Sequence, residues 1–358
     1  MPVGFPKTKS GIEIKILKRY FTPKEAELAL CLDHEEKSVM DIETTYKGDG
    51  DVGEMLETIA QKGVINSRMR GGERKYQLIP YVIGMYEMQV KNLDSSIHDE
   101  TRQYFQESFG LEYLTTAVPQ MRVIPVERSV KVENRVATYD EIRGIIEKAG
   151  DSIGITECIC KKAMQKKGTP CKKTDDIEVC FGFRDFFDTY FERGWSRKIS
   201  KEEAFDILNY AEKKGLVLQP SNEQEPQFVC ACCSCCCGIF ATIKSMKRPA
   251  DFVASNYYAS VDNEKCNDCN ICLRRCSMDA ISKNGQVSID LGKCIGCGLC
   301  VSRCKPGALT MVKKKKEVVP PVTEQDKYQY IMDHKKSKLG KIVTGIKGLT
   351  GIKVNQYK

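Results

Sequence analysis

The chain has 358 residues, of which 41% are hydrophobic and 8% aromatic, a composition typical of an ordinary globular protein with two or three domains. No run of about eighteen apolar residues occurs and Met1–Tyr20 has no apolar core, so we expect neither a membrane-spanning helix nor a secretory signal. The net charge of +8 arises in residues 313–358, where twelve lysines accompany four acidic residues; the remainder is neutral.

Cysteine is the residue type that departs from this ordinary composition, with nineteen copies. Without an export signal, we interpret these cysteines as metal ligands in a reducing compartment rather than as disulfides. We therefore expect a cytoplasmic protein, either free or attached to the periphery of a membrane.

The cysteines of segment 266–304 repeat one pattern twice. Each half reads C-x2-C-x2-C-x3-C, first as Cys266, Cys269, Cys272 and Cys276, then as Cys294, Cys297, Cys300 and Cys304. In this pattern three thiolates bind one [4Fe-4S] cluster and the fourth binds the other cluster. Cluster 1 would take Cys266, Cys269, Cys272 and Cys304, and cluster 2 would take Cys294, Cys297, Cys300 and Cys276. Zinc is the weaker interpretation here, because zinc sites use two close pairs separated by a longer spacer.

On these residues, segment 256–312 resembles the bacterial-type ferredoxin domain with two [4Fe-4S] clusters. It departs from that family directly after the fourth cysteine of each run, where Ser277 and Lys305 replace the usual proline and Pro306 comes one place late. The resemblance implies single-electron transfer at low potential in an anaerobic setting. Nearby cations would tune the potentials, namely Arg274, Arg275, Lys293, Arg303 and Lys305.

The first 95 residues carry three helix signals followed by a hairpin signal. Thr22, Ser38 and Asp51 can each cap a helix, and the Gly71-Gly72 turn can join strands within 64–79. This order resembles the winged helix-turn-helix of bacterial regulators. The third helix would expose Asp51, Glu54 and Glu57, which repel phosphates, although the wing carries Arg68, Arg70, Arg74 and Lys75. We expect a structural or docking role and no nucleic-acid partner.

Segment 138–255 contains a further ten cysteines in two groups. They are Cys158, Cys160, Cys171 and Cys180, then Cys230, Cys232, Cys233, Cys235, Cys236 and Cys237. Helices predicted at 183–193 and 200–215 lie between the groups and would fold them together, so we expect a mostly α-helical domain. We predict one or two additional iron–sulfur clusters here, with zinc as the runner-up. Adjacent cysteines point in different directions, so Cys232/Cys233 and Cys235/Cys236 should not all serve one metal. The whole pattern resembles large ferredoxin-type proteins of anaerobes.

We therefore predict an α+β protein in five parts. These are a winged-helix-like domain (1–95), a connector (96–137), a mostly α cysteine-rich domain (138–255), a ferredoxin-like dicluster domain (256–312) and a basic tail (313–358). The tail could be flexible and solvated, or could dock onto an acidic partner or an anionic membrane surface.

The function predicted from these parts is that of an electron-transfer protein or subunit. It would relay single electrons at low potential to or from a partner oxidoreductase, either a flavoprotein or another metalloenzyme. Two alternatives stay open: a redox-sensing winged-helix transcription regulator, and a reductase whose extra cluster is accessible to substrate. No catalytic residue is assigned, because no phosphate-binding loop or hydrolase motif occurs in the chain.

Overall fold

The computed structural model describes residues 1–129 and 138–354, with 42% helix and 16% strand. This mixture agrees with the predicted α+β class. The order of elements along the chain explains how the cysteine-bearing loops come together.

The N-terminal part is built from four helices and a hairpin. Its elements are α1 (Ile12–Tyr20), α2 (Pro23–Ala29), α3 (Val39–Glu43), α4 (Val52–Gln61), β1 (Ile65–Arg70) and β2 (Glu73–Leu78). Reciprocal capping boxes begin α2 at Thr22 and α3 at Ser38, and the Asp51 side chain caps α4. The helices and hairpin predicted for this part therefore occur, and α1 precedes them.

Helices α5 (Ser95–Tyr104) and α6 (Gly110–Leu114) follow, and an extended segment then runs between the later parts. Within that segment, Val123 N–H donates to Ala254 O at 2.8 Å and Val126 N–H donates to Cys297 O at 3.1 Å. The predicted connector is therefore structured up to residue 129, and its residues 130–137 lie outside the described part of the chain.

The cysteine-rich middle part, which was predicted to be mostly α-helical, also contains a five-stranded antiparallel sheet. Its elements are α7 (Ile142–Lys148), β3 (Ile153–Glu157), α8 (Ile159–Lys166), β4 (Glu178–Phe183), α9 (Arg184–Glu192), β5 (Arg197–Lys198), α10 (Lys201–Lys214), β6 (Val217–Pro220), β7 (Phe228–Cys232) and α11 (Gly238–Lys244), and the strand order is β5-β3-β4-β7-β6. In β4, Val179 and Phe181 are buried in the core while Cys180 alternates with them. Cysteine at the alternate position hid the strand pattern.

The third cysteine region forms two small antiparallel sheets around a short helix. Its elements are β8 (Tyr257–Val261), α12 (Ile271–Arg275), β9 (Ile281–Asn284), β10 (Gln286–Ile289) and β11 (Leu309–Lys313). Strand β8 pairs with β11, and β9 forms a hairpin with β10. The pairing of its first strand with its last strand thus holds the two ends of this region together.

The tail is ordered as two helices, α13 (Glu324–Asp333) and α14 (Lys338–Thr350). Lys327 on α13 is 2% exposed and its Nζ lies 2.8 Å from Glu223 Oε2. The solvated-tail interpretation is therefore wrong for α13, because a buried carboxylate of the middle part holds it. Among the described residues, no helix is both long and apolar enough to cross a membrane.

Candidate metal centres

The four thiols expected to bind cluster 2 line one cavity. Cys276, Cys294, Cys297 and Cys300 face a space of about 420 Å³ together with apolar residues such as Ile281, Ile289 and Leu299. Leu299 is fully buried, and burial raises the pKa of Cys297 to about 12. Thiols with raised pKa values become thiolates most readily when a metal replaces the proton. The cavity therefore offers an apolar, sulfur-lined site of the kind a cluster needs.

The four thiols expected to bind cluster 1 line a second cavity of about 390 Å³. Cys266, Cys269, Cys272 and Cys304 lie around it with Pro306 and Leu309. Cys269 is exposed and the other three are half-buried. This ligand set lies at the surface, whereas Cys276 and Cys297 pack against the main hydrophobic core.

Backbone donors contact two of the cluster 2 thiols. Ala280 N–H donates to Cys276 Sγ at 3.2 Å, and Ala259 N–H donates to Cys294 Sγ at 3.5 Å. Such bonds stabilise negative charge on sulfur and help to set the potential of a bound cluster.

Arg275, which was expected to tune that potential, has a structural role as well. Its guanidinium donates to Leu299 O at 2.8 Å and to Lys213 O at 3.1 Å, and so joins the cluster 2 loop to the last turn of α10.

The ten cysteines of the middle part separate into two sets. The first, the four-thiol site, has all its sulfur atoms within 4.8 Å of one another and consists of Cys171, Cys233, Cys235 and Cys236. The second set lines an apolar cavity of about 770 Å³, and we call its members the cavity thiols: Cys158, Cys160, Cys180, Cys230, Cys232 and Cys237. Cys233 and Cys236 of the four-thiol site also border this cavity. The spacing of the ten cysteines along the chain gave no indication of this division.

Strand register explains part of the division. Cys180 on β4 stands opposite Cys230 on β7, and their sulfur atoms are 3.7 Å apart. Cys232 and Cys233 do point to different sets, as expected of adjacent residues. Cys235 and Cys236, however, both belong to the four-thiol site, because a tight turn at 234–236 brings their sulfur atoms to 3.7 Å.

Lys161 is a residue that the sequence did not single out. It lies on α8 with 1% exposure, and its Nζ donates to Ala231 O at 2.8 Å. Burial by itself would lower the pKa of this ammonium, but the surrounding thiols, led by Cys158 and Cys233, raise it above the ordinary value. A buried ammonium is stabilised by negative charge nearby, which metal-bound thiolates of these sets would supply. The only sequence signal was its place directly after C-x-C.

A larger cavity of about 2100 Å³ adjoins both thiol sets. Helices α5, α6, α11 and α14 contribute to its walls, which include Cys160, Glu87 and His98. Burial raises the pKa of Glu87 to about 7, and His98 Nδ1 lies 3.0 Å from Tyr86 Oη. Glu87 and His98 are isolated in sequence, so neither had been assigned to a site.

The comparisons agree with an iron–sulfur assignment for the third cysteine region. The protein-family model Fer4, a 4Fe-4S binding domain, matches residues 287–310, a stretch that contains Cys294, Cys297, Cys300 and Cys304. Neither the curated proteins nor the solved structures include a match to the chain. The matched domain and the abundance of cysteines together indicate an iron–sulfur protein.

Proposed function

We propose that this protein transfers single electrons at low potential between a partner oxidoreductase and its own middle part. Bound [4Fe-4S] clusters would supply one-electron redox chemistry. The chain would supply the thiolate ligands, the apolar surroundings of the clusters and the surface that a partner protein contacts. The observation that carries the proposal is the convergence of two complete sets of four cysteines on two adjacent cavities.

The placement of the two ligand sets suggests an order for the transfer. Cys269 of the first set is exposed, so a partner protein can approach that set. Cys297 of the second set packs against the core, and its carbonyl accepts a bond from Val126 of the connector. Electrons would enter or leave at the first set and pass inward through the second toward the cavity thiols.

The N-terminal hairpin supports a docking role in this proposal rather than DNA binding. Arg68 Nη2 lies 3.1 Å from Glu324 on α13, and Arg70 Nε lies 2.9 Å from Glu36. Arg74 and Lys75 pair with Glu192 and Glu73 at 3.5 and 2.7 Å. Cations that already have carboxylate partners offer little to phosphates, which supply most non-specific DNA affinity.

Anaerobic purification with metal analysis and electron paramagnetic resonance tests the proposal. Two clusters require about eight iron atoms per chain, and further iron would belong to the middle part. In Cys297→Ala the signal of one ferredoxin cluster should disappear while the spectrum of the middle part persists. Cys31→Ala removes a cysteine outside the three groups and serves as the control. A colourless wild-type protein containing only zinc would refute the electron-transfer function.

A reductase is the second candidate function, and the larger cavity favours it. That cavity reaches Cys160 and Cys237 of the cavity thiols and presents Glu87, an acid with a raised pKa, beside them. A small molecule bound there would lie next to the end of the proposed electron path. Titration of the reduced protein with small ligands distinguishes the two, because only an accessible centre should change its spectrum.

The tail offers the surface for attachment in this proposal. Helix α14 exposes Leu339, Ile346 and Leu349 together with Lys338 and Lys347. Such a face suits an anionic lipid surface or an acidic partner that holds the relay beside its oxidoreductase. Sedimentation with neutral and anionic vesicles tests the lipid interaction. If the protein binds neither kind of vesicle, docking onto an acidic partner protein becomes the favoured role of the tail.

A further inference from the structure

The sulfur atoms of the four-thiol site are nearly in contact. Cys171 Sγ lies 3.6 Å from Cys233 Sγ and 3.7 Å from Cys235 Sγ, and the last two are 3.5 Å apart. Four thiolates around one zinc ion, each bonded at about 2.3 Å, occupy tetrahedron corners about 3.8 Å apart. A [4Fe-4S] cube places four irons and four sulfides between its ligands and needs a wider spacing. The site therefore has the size of a one-ion site.

Three of the four thiols of this site are buried. Cys171, Cys233 and Cys236 are 8%, 1% and 7% exposed, and Cys235 is half-buried. Four cysteines complete the tetrahedral coordination of zinc and leave no position for water or substrate, which is the arrangement of structural rather than catalytic zinc.

Lys161 supplies the charge that such a site requires. Four thiolates around a divalent ion would carry a net charge of −2. Lys161 is buried and interacts electrostatically with Cys233 and Cys171 of this site, as well as with the cavity thiols Cys158 and Cys232. Among the described residues no carboxylate forms an ion pair with Lys161, and the hydrogen bond of its ammonium goes to a neutral carbonyl, Ala231 O. A buried ammonium without an anionic partner is costly, so its presence requires negative charge nearby.

The position of the site in the chain gives it a structural consequence. Cys233 directly follows Cys232, and Cys236 directly precedes Cys237, and both of these neighbours are cavity thiols. Cys171 comes from the loop between α8 and β4, far away in sequence. An ion in the four-thiol site would therefore tie that loop to the 233–237 turn and fix two of the cavity thiols in place.

We propose that the four-thiol site binds a single zinc ion in a closed tetrahedral arrangement. This zinc carries no electrons; it positions Cys232 and Cys237, and Lys161 offsets the net negative charge of the zinc–thiolate site. The site is thus distinct from the iron–sulfur centres of the electron path and does not depend on them.

Metal analysis and X-ray absorption at the zinc edge test the site in the wild-type full-length protein. After anaerobic reconstitution with iron, sulfide and zinc, we expect one zinc per chain, bound by four sulfur atoms at about 2.3 Å. A protein that binds no zinc, that places iron in this site, or that shows nitrogen or oxygen ligands at the zinc edge would overturn the proposal.

Two alanine variants locate the ion. Cys171→Ala should lose the zinc and keep the paramagnetic signals of the ferredoxin clusters, whereas Cys31→Ala should keep both. Loss of iron with retention of zinc in Cys171→Ala would assign this thiol to a cluster and refute the one-ion site. Because the ferredoxin signals are read separately, failure of this proposal and failure of electron transfer give different results.

Two substitutions at Lys161 test its role through competition with a zinc chelator. Lys161→Met should release zinc about 10- to 100-fold more readily, as expected when a supporting partner of a metal site is lost. Lys161→Arg keeps the charge and should retain most of the affinity. Equal zinc affinities in the two variants would show that charge at this position does not matter.

Discussion

The loop that carries the cluster 2 ligands lies tightly against the connector, and Gly298 is the residue through which this contact can be tested. Gly298 has φ +74, and a Cβ at this position would lie 2.6 Å from Ser129 Cβ. Gly285, in the turn between β9 and β10, has the same φ of +74 but nothing within 4 Å of the corresponding Cβ. Alanine would therefore adopt the same unfavourable φ at either position, but only at Gly298 would its Cβ also collide with a neighbouring side chain.

This difference sets the expected magnitudes. Alanine in the left-handed region costs about 1–2 kcal/mol at either position. At Gly298 the collision with Ser129 adds about 1–3 kcal/mol, the usual cost of overpacking. Gly298→Ala should therefore lower the stability constant of the folded loop about 5-fold to about 140-fold more than Gly285→Ala does, at 1.4 kcal/mol for each factor of ten.

The assay is anaerobic chemical denaturation followed by the visible absorbance of the clusters, with paramagnetic resonance to identify which cluster is lost first. Gly298→Ala should lose cluster 2 at lower denaturant than Gly285→Ala. Ser129→Gly should restore much of the loss in the Gly298→Ala background and give a positive coupling in the double-mutant cycle. Equal losses in the two single variants, or no rescue by Ser129→Gly, would refute the close contact between connector and loop.

Three further predictions test other parts of the structure and the proposed function. Lys327→Met should lower the free energy of unfolding by about 3–5 kcal/mol because it leaves Glu223 buried without its cation, whereas Lys338→Met on the exposed face of α14 should change it little; denaturation measures both. Burial lowers the pKa of His98, so the unfolded chain binds the extra proton and stability should fall as pH drops below the ordinary value of 6.5. Thermal unfolding between about pH 5 and 8 checks this, and a profile unchanged in His98→Asn would contradict it. In gel-shift assays at physiological salt we expect no sequence-specific DNA binding in either redox state. A specific complex would instead support the hypothesis of a redox-sensing transcription regulator.

The fold of the N-terminal part was accessible from sequence because its signals are local. Thr22 with Glu25 and Ser38 with Asp41 satisfy the first backbone donors of their helices whatever the rest of the chain does. Strand β4 of the central sheet was missed because cysteine, and not a polar residue, alternates with its buried residues. A period-two pattern cannot be recognised when both faces of the strand are filled by small apolar or aromatic side chains.

For the metal centres, the sequence by itself predicted two sets of four ligands, and each set lines one cavity of the structure. Three thiols spaced two residues apart must face one small object, and that geometry belongs to a few consecutive residues. Only the tertiary structure decided how the other ten cysteines divide. Strand pairing sets Cys180 opposite Cys230, and loop packing brings Cys171 to Cys233 across sixty-two positions of the chain. Lys161 and the Glu223–Lys327 pair are likewise products of packing, because the charge that each one needs comes from residues distant in sequence.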